Sequence, residues 1–307
     1  ILIIDKSAPK ASLNYNVSNT FVYDETSDDS GFDDGFLIFD GVDDYVDLDV
    51  EGKIVLITGG SKGIGKMIAE VFVRSGSKVY ITARHGAVVE ETTKELSELG
   101  ECYGIENDLS SLDGVNALVK EIETREGKLD VLINNAATGW HEPFDNFPEK
   151  GWDKTFDLNI KAPFFLIQGL KPLLEKDKTK QNPAKVINIA SIDGLGVAFE
   201  DSYPYTASKA GLIHLTRSLA NELAPNNIWV NCISPGAFAS DMNIMARDNP
   251  DLLGSYVPTK GVGTMEDIGG TCIYLASRAS NYTNGANLAV DGGWTAVAYG
   301  GIHPDKV

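Results

Sequence analysis

Apolar and polar positions alternate in blocks along the chain from Lys53 onward. Short runs rich in branched aliphatic residues are typical of buried strands, and each is followed by a longer stretch with helical apolar periodicity. The strand-like runs lie at Ile54–Thr58, Lys78–Ala83, Cys102–Asn107, Val131–Asn134, Lys185–Ala190, Ile228–Ile233 and Ala286–Val290. The helix-like stretches lie near residues 63–75, 87–99, 111–126, 152–176, 204–224 and 265–277. This alternation predicts right-handed βαβ crossovers and one seven-stranded parallel sheet in a single doubly wound α/β domain.

Residues 1 to about 50 depart from this alternation. Asp24 to Gly35 form a run of acids and turn formers, and Phe36 to Gly41 are suited to one short strand. We interpret residues 1–50 as an acidic N-terminal extension, solvated and partly ordered, and residues 51–307 as the folded domain. Clustered carboxylates also suit calcium, but the EF-hand spacing is absent and we predict no metal site. The extension is also a candidate to pack on a neighbouring subunit.

Composition is that of an ordinary globular protein. Hydrophobic residues make up 43% of the 307 residues and charged residues 23%, and no apolar run approaches the roughly 18 residues of a membrane span. The net charge of −18 argues against nucleic acid as a partner, although residues 1–51 contribute −11 of it. Three cysteines lie far apart without metal-ligand spacing and are expected to be reduced packing residues. Because the opening segment has neither a signal nor a transit pattern, we expect a cytoplasmic enzyme.

A glycine-rich turn follows the first predicted strand, with the sequence Thr58-Gly59-Gly60-Ser61-Lys62-Gly63-Ile64-Gly65. Glycines without Cβ allow a tight turn and the close approach of a pyrophosphate, which backbone N–H groups and the positive end of the next helix attract. A strand, a turn and a helix in this order form the dinucleotide site of Rossmann folds. The glycine spacing differs from the common Gly-x-Gly-x-x-Gly form. The turn alone therefore leaves dinucleotide binding and a merely structural turn equally open.

Charged residues that follow the next strands bear on the choice of dinucleotide, because open parallel sheets bind ligands at the carboxyl ends of their strands. Arg84 follows the second strand, where an acid would accept hydrogen bonds from the ribose of NAD, and Lys62 adds a second cation. Both suit the 2′-phosphate of NADP, which we favour over two solvated surface cations. Asp108, after the third strand, is suited to hydrogen-bonding adenine or to capping the next helix. The small residues at 134–139 allow a cofactor close to the backbone.

The segment Tyr205-Thr206-Ala207-Ser208-Lys209 is the most specific local signal. Tyr205 and Lys209 are four residues apart and so share one face of a helix, with Pro204 in its first turn. A nearby ammonium would stabilise a phenolate, and lowering the pKa of a tyrosine from 10 to about 7 requires roughly 4 kcal/mol. Tyr203 has alanine four residues on, lacks this partner and is expected to line the substrate cleft. In isolation, a chance amphipathic pair is the better explanation.

Two polar residues before this helix weaken the chance explanation. Ser191 ends the predicted fifth strand, where its hydroxyl is suited either to donate to a substrate carbonyl oxygen or to cap a turn. Asn159 is expected in the middle of a helix, where an amide needs solvent or a buried partner. A functional Asn159 would hold a water against Lys209.

These motifs together resemble a classical short-chain dehydrogenase/reductase, from about residue 52 to 295. The matching positions are the glycine turn, Asp108, Asn134-Asn135-Ala136, Asn159, Ser191, Tyr205-x-x-x-Lys209 and Pro235-Gly236. The resemblance implies a tetrad in which Tyr205 is the general acid/base, Lys209 lowers its pKa and holds the nicotinamide ribose, Ser191 orients the carbonyl and Asn159 supports a relay water. It implies binding of NADP(H) by Gly59, Ser61, Lys62, Gly63, Ile64, Gly65, Arg84, Asp108, Leu109, Asn135, Ala136, Ala137, Tyr205, Lys209, Pro235 and Gly236. Ala137 departs from the glycine usual in the family.

Within the family, residues 182–189 and 234–242 are similar to 3-oxoacyl reductases of the rhamnolipid-pathway type. The resemblance implies that residues 236–263 form a lid over the substrate, with substrate contacts from Ser191, Tyr203, Tyr205, Phe238 and Met242. Apolar residues in this lid suit an acyl chain or a hydrophobic ketone, or they merely seal the fold. Family members commonly pair through their long helices and last strand, so a homotetramer or dimer is expected.

Three functions remain open from the sequence. The first is an NADPH-dependent reductase that converts a ketone, 3-oxoacyl or other, to a secondary alcohol. The second is a polyol or sugar dehydrogenase that runs in the oxidising direction. The third is a non-catalytic NADP-binding sensor or scaffold, which the presence of all four tetrad residues argues against. An epimerase or dehydratase of the extended branch is disfavoured because no sizeable substrate domain follows the sheet.

Overall fold

The computed structural model describes residues 48–198 and 201–297. The acidic run, the calcium alternative and nearly all of the predicted extension fall outside the described residues. The division of the chain at residue 50 therefore stays a prediction.

Seven parallel strands form one sheet, which confirms the predicted fold class. The strands are β1 (Ile54–Thr58), β2 (Lys78–Ala83), β3 (Cys102–Glu106), β4 (Val131–Asn134), β5 (Ala184–Ile189), β6 (Ile228–Pro235) and β7 (Asn287–Val290). They are arranged in the order β3-β2-β1-β4-β5-β6-β7. Strand order reverses between β1 and β4, and in sheets of this topology the ligand crevice opens at that reversal.

Nine α-helices accompany the strands in the described part of the chain. They are α1 (Gly63–Arg74), α2 (Gly86–Ser97), α3 (Leu112–Arg125), α4 (Glu149–Phe156), α5 (Ala162–Glu175), α6 (Tyr203–Leu223), α7 (Ile244–Asp248), α8 (Pro250–Tyr256) and α9 (Met265–Ala276). The single helix predicted near 152–176 is wrong in one respect, because a π-helical turn at Asp157–Lys161 separates α4 from α5. Helices α7 and α8 were not predicted; each is too short to show a clear helical period.

The core lies in two layers, one on each face of the sheet. Along β1, Val55 and Ile57 belong to the layer that α1 and α9 cover, whereas Ile54 and Leu56 belong to the opposite layer under α3 and α5. Successive strand residues point to opposite faces, so a strand buried on both faces must be apolar throughout. The unbroken aliphatic run of β1 is explained in this way, and the carboxyl ends of the strands are left as the place for polar side chains.

All three cysteines are buried free thiols, as expected of packing residues. Burial raises the pKa of Cys102 to about 11 and that of Cys232 to about 12, so both thiols stay protonated near neutral pH. Among residues 48–198 and 201–297, no helix is long and apolar enough to cross a membrane.

Lys185 is an unusual core residue near the amino end of β5. Its side chain is 2% exposed, and its Nζ donates to Ser280 Oγ at 2.8 Å and Asn281 Oδ1 at 3.1 Å. Within the described residues it forms no salt bridge with a carboxylate. Burial, with a smaller contribution from the charge of Lys53, lowers the pKa of Lys185 to about 7. The unfolded chain, with an ordinary lysine pKa near 10.4, therefore binds a proton that the folded chain releases above pH 7.

Replacing Lys185 by Met is expected to flatten the pH dependence of stability. In the wild type, the free energy of unfolding gains up to about 1.4 kcal/mol per pH unit from this group between pH 7 and 8.5. The Lys185→Met variant lacks that gain and should be at least as stable as the wild type at pH 7, because no buried ammonium remains. Urea unfolding at pH 7 and 8.5 measures both quantities. Lys154→Met, at a surface lysine above the Trp140 ring, should keep the wild-type slope; a wild-type slope in Lys185→Met would contradict the account.

Candidate active site

The glycine turn between β1 and α1 has the geometry of an anion site. Gly59 and Gly63 adopt φ angles of +66° and +51°, which glycine tolerates best. Helix α1 starts without a side-chain cap and without an acid in its first turn. Its first N–H groups and the positive end of its dipole are thus left to an external anion. This arrangement fits the pyrophosphate of a dinucleotide.

Thr58 and Asn135 hold this turn against the end of β4. Thr58 Oγ1 accepts hydrogen bonds from the backbone N–H groups of Asn135 and Ala136, each at 3.0 Å. Asn135 Nδ2 donates to the carbonyl oxygens of Thr58 at 2.9 Å and Gly59 at 3.0 Å. Asn135, which we predicted to contact the cofactor, therefore supports the turn with its side chain. The role of Thr58 was missed, although a hydroxyl that ends an aliphatic strand was a usable signal.

The two predicted phosphate cations have different surroundings. Arg84 is exposed directly after β2, and its guanidinium has no salt bridge to another residue of the described chain. Lys62 is 62% exposed and its Nζ lies 3.4 Å from Asp241 Oδ2, in the segment predicted to form the lid. An exposed pair at this distance is worth little energy. Both cations therefore remain available to an anion in the crevice.

The other predicted cofactor positions lie around the same crevice. Asp108 accepts from the N–H of Ser110 at 3.0 Å, and the cap of α3 is Ser111, which accepts from Gly114. The capping alternative for Asp108 is therefore wrong. At the other predicted positions the crevice is lined by backbone and small groups, because the side chains there are buried or the residue is glycine. Those positions are Ser61 and Leu109 (buried), Ile64 (packed on the core), Ala136 and Ala137 (partly buried), Pro235 (within β6) and Gly236 (bonded to Val290 O).

Ser191, Tyr205 and Lys209 converge at the carboxyl end of β5. Ser191 Oγ accepts from the N–H of Asp193 at 3.1 Å. Its hydroxyl is near enough to the phenol of Tyr205 to act on the pKa of that group, against the larger and opposite effect of burial. Lys209 lies one turn below Tyr205 on α6; its Nζ donates to Ile189 O at 2.8 Å and lies 5.5 Å from the centroid of the Tyr205 ring. The two proposed roles of Ser191, turn cap and hydroxyl donor, are thus compatible.

The protonation of this group differs from the expectation that Lys209 lowers the tyrosine pKa. Burial raises the pKa of Tyr205 to about 12; the hydrogen bond from Ser191 opposes this and the charge of Asp193 adds to it. Burial also lowers the pKa of Lys209 to about 8. Desolvation disfavours the charged form of each group and is the largest effect on both pKa values. Tyr205 is therefore a protonated phenol at neutral pH, which suits it to give a proton.

Asn159 lies in the π-helical turn between α4 and α5 and is buried. Its Oδ1 accepts from the N–H of Thr138 at 2.9 Å, and its Nδ2 donates to Thr138 O at 2.9 Å and Ser208 Oγ at 3.0 Å. These contacts tie the loop after β4 to helix α6. Each amide atom already has a partner in the protein, so the side chain positions the loop, and a relay water would need a different contact on Asn159.

A second buried polar chain lies deeper in the sheet and was not predicted. Asn134 Nδ2 donates to Asn188 Oδ1, and Asn188 Nδ2 donates to Thr216 Oγ1, each at 2.9 Å. The chain links β4, β5 and α6 beneath the candidate catalytic residues. Asparagines within otherwise aliphatic strands were its signal in the sequence.

The predicted substrate residues differ in their exposure to solvent. Tyr203 is partly exposed, donates to Asp201 at 2.9 Å and lies edge-on to Phe144 and Phe147. Met242 is 58% exposed at the start of the predicted lid. Phe238 is instead 2% exposed, belongs to the core layer under α1 and packs where a Cβ on Gly263 would fall. Phe238 is not suited to touch a substrate, because it anchors the base of this segment.

Comparisons with known proteins agree with this geometry. Residues 59–295 match the family model described as Enoyl-(Acyl carrier protein) reductase. The chain is 39% identical over 246 residues to the rhamnolipids biosynthesis 3-oxoacyl-[acyl-carrier-protein] reductase of Pseudomonas aeruginosa, which covers 79% of this chain and 96% of that protein. It is 35% identical to the 2-dehydro-3-deoxy-D-gluconate 5-dehydrogenase of Dickeya dadantii, with coverage of 81% and 98%.

A solved structure extends the likeness to three dimensions. The Pseudomonas aeruginosa RhlG/NADP active-site complex superimposes with a TM-score of 0.77 at 38% identity, over 80% of this chain and 97% of that one. A family model that matches most of the chain, and relatives above 30% identity along nearly their whole length, establish the relationship. The chain belongs to the classical short-chain dehydrogenase/reductase family of oxidoreductases.

Proposed function

We propose that the protein is an NADPH-dependent reductase that converts a ketone to a secondary alcohol, with Tyr205 as the general acid. The observation that carries the proposal is the convergence of Ser191 and Tyr205 at one edge of the sheet, with Lys209 one helical turn away. These groups lie at the carboxyl end of β5, two strands from the glycine turn that follows β1. A substrate carbonyl held between the two hydroxyls would face a nicotinamide in the crevice.

The residues of the chain have distinct tasks in this reaction. Bound NADPH would supply the hydride. Ser191 and Tyr205 would share the developing oxyanion, since donors fixed in advance stabilise charge as it forms. Tyr205 would supply the proton, and its raised pKa keeps the phenol protonated until the oxygen gains charge. The Lys209 ammonium, held by Ile189 O, would stabilise the phenolate that remains.

Cofactor choice rests on Lys62 and Arg84 beside the glycine turn. The relative of known structure was solved with NADP, and no acid follows β2 in this chain, where Arg84 and His85 stand. We infer that Arg84 binds the 2′-phosphate of NADPH, with Lys62 as a second contact. Among the remaining predicted positions, Gly59 to Gly65, Asp108 to Leu109, Asn135 to Ala137 and Pro235 to Gly236 would line the rest of the dinucleotide.

Replacing Arg84 by Ala is expected to raise the KM for NADPH about 10- to 100-fold and to leave the KM for NADH nearly unchanged. A charge-assisted hydrogen bond of about 1.5–3 kcal/mol is lost only with the cofactor that carries the phosphate. Initial rates with each cofactor measure the effect. Lys94→Ala, on exposed α2, removes the same charge and should change neither KM. Equal use of NADH and NADPH by the wild type would refute this assignment.

The reaction itself is tested by following oxidation of NADPH against a panel of acyl and aryl ketones, and reduction of NADP against sugar alcohols. Turnover of ketones supports the proposal. Polyol oxidation much faster than ketone reduction would favour the sugar dehydrogenase. The similarity to 2-dehydro-3-deoxy-D-gluconate 5-dehydrogenases supports this alternative. No turnover with either panel would favour a sensor or scaffold. Deleting residues 1–50 would then show whether the extension binds a partner.

The proposal includes an oligomeric enzyme, a homotetramer or dimer, that works in the cytoplasm. Membership of a family whose subunits commonly pair supports the first part. Three buried cysteines with free thiols suit a reducing compartment and support the second. Tyr203 and Met242 remain the proposed substrate contacts beside Ser191 and Tyr205.

A further inference from the structure

The mouth of the candidate substrate cleft is acidic. Four described segments follow the carboxyl ends of β4, β5 and β6: residues 139–147, 191–198, 201–205 and 237–249. Together they contain six carboxylates and one arginine. The carboxylates, here named the acidic rim, are Glu142, Asp145, Asp193, Asp201, Asp241 and Asp248.

Contacts place the rim segments after β4 and β5 beside the candidate catalytic tyrosine. A Cβ on Gly139 would lie 3.8 Å from the Tyr205 ring, so the loop after β4 passes directly over it. The same loop joins the start of α6 through the bond from Glu142 N to Asp201 O at 3.1 Å. Asp193 adjoins the same groups, because its backbone N–H donates to Ser191 Oγ at 3.1 Å. The cleft that holds the reacting groups therefore includes the rim segments after β4 and β5.

Described cations offset part of the rim. Arg247 binds Asp241 at 2.9 Å and Asp248 at 2.8 Å, and Lys62 Nζ lies 3.4 Å from Asp241 Oδ2. Lys154 Nζ lies 5.7 Å from the centroid of the Trp140 ring in the loop after β4. Lys209 is buried below Tyr205 and bonded to Ile189 O. An anionic group at the mouth would thus meet more carboxylates than cations among the described residues, whereas Arg84 lies at the far, dinucleotide end of the crevice after β2.

Between these charges the mouth presents apolar surface. Phe144 is 76% exposed and packs edge-on to Tyr203 at 5.8 Å between ring centroids. Met242 and Met245, in the segment predicted to form the lid, are about half exposed. Aromatic rings and thioethers offer contact area to an apolar substrate. They offer no hydrogen bonds to a polyhydroxylated substrate such as a sugar.

We propose that this site selects ketones without negative charge, neutral or cationic and with an apolar body, and rejects the same carbonyl when it carries a carboxylate or sits on an acidic carrier protein. The inference rests on the proposed ketone reduction and specifies its substrate class. Charge repulsion at a cleft mouth lowers both encounter and binding of the wrong substrate. The acidic rim supplies that repulsion, and the aromatic and methionine surface supplies the attraction.

The test compares matched pairs that share one reacting ketone: ethyl acetoacetate with acetoacetate, ethyl levulinate with levulinate, and ethyl benzoylformate with benzoylformate. Each ester should exceed its acid in kcat/KM by about tenfold or more at low salt, and about 0.5 M NaCl should shrink the ratio several-fold by screening. Acetoacetyl thioesters of N-acetylcysteamine, coenzyme A and acyl carrier protein form a second series of rising negative charge. Their kcat/KM should fall in that order.

Variants assign the effect to the rim. The double change Glu142→Gln and Asp145→Asn should lower the ester-to-acid ratio several-fold, while Glu123→Gln, on the exposed side of α3, should leave the ratio as in the wild type. Acids or carrier-bound substrates that match or exceed their neutral partners would overturn the inference and leave ketone reduction intact. Failure of every ketone, charged or neutral, to oxidise NADPH would overturn the proposed function and the inference with it.

Discussion

Replacing Tyr205 by Phe is expected to lower kcat for ketone reduction by about 10²- to 10⁴-fold, the contribution typical of a positioned proton donor. The variant keeps the aromatic ring above Lys209 and loses only the hydroxyl that Ser191 contacts. Without it, the developing oxyanion has one donor instead of two and no proton source in reach. The affinity for NADPH should change little, because the phenol acts on the carbonyl and the glycine turn is untouched.

Tyr203→Phe is the matched control for this prediction. Its hydroxyl is two residues away at the start of the same helix but bonds Asp201, so removal should cost far less in kcat. Single-turnover rates with saturating NADPH, together with fluorescence titration of NADPH, separate chemistry from binding. Equal activity of Tyr205→Phe and the wild type would refute the mechanism, as would a loss of the same size in Tyr203→Phe.

Replacing Gly65 by Ala is expected to weaken NADPH binding at least 100-fold, by about 2.7 kcal/mol or more. A Cβ at this position would lie 2.2 Å from Gly59 O and 2.4 Å from Asn135 Nδ2. Neither group can move independently: Gly59 O belongs to the turn backbone, and the Asn135 amide already holds that turn. The turn must open, which displaces the N–H groups expected to meet the pyrophosphate.

Gly127→Ala controls for the added methyl group, because a Cβ there has no atom within 4 Å. It should bind NADPH as the wild type does. Circular dichroism establishes whether each variant is folded before the titration. If Gly65→Ala fails to fold, Gly63→Ala serves as the second test variant. Gly63 has a φ of +51°, and a Cβ there would lie 2.9 Å from the Ser240 Cβ. A folded Gly65→Ala with wild-type affinity would show that the turn is merely structural.

Most of the fold was predictable because its pattern is strong. Strands such as β1 and β4 are buried on both faces, so they are nearly continuous aliphatic runs between helices of clear period. The proximity of Ser191 to Tyr205 and Lys209 could also be predicted from the sequence. A residue at the carboxyl end of a strand and a pair on the following helix must lie at the same edge of a parallel sheet.

The rest depends on three-dimensional surroundings that no local pattern reveals. The π-helical turn at Asn159 follows from contacts with Thr138 and Ser208, which are distant in sequence. The direction of the Tyr205 pKa shift depends on how deeply the ring is buried, and the spacing to Lys209 carries no information about that. Phe238 was assigned to the substrate because its segment forms the predicted lid, yet its ring turns inward against Gly263.

The most direct test of the central claim follows a deuterium atom from the cofactor to the product. The wild-type enzyme is incubated with NADPH deuterated at both C4 positions and a neutral ketone that it accepts, and the product is examined by mass spectrometry and NMR. The account predicts one deuterium on the carbinol carbon for each NADPH consumed, and almost no product with Tyr205→Phe. Alcohol without deuterium at that carbon, or equal labelling and rate in the variant, would contradict it.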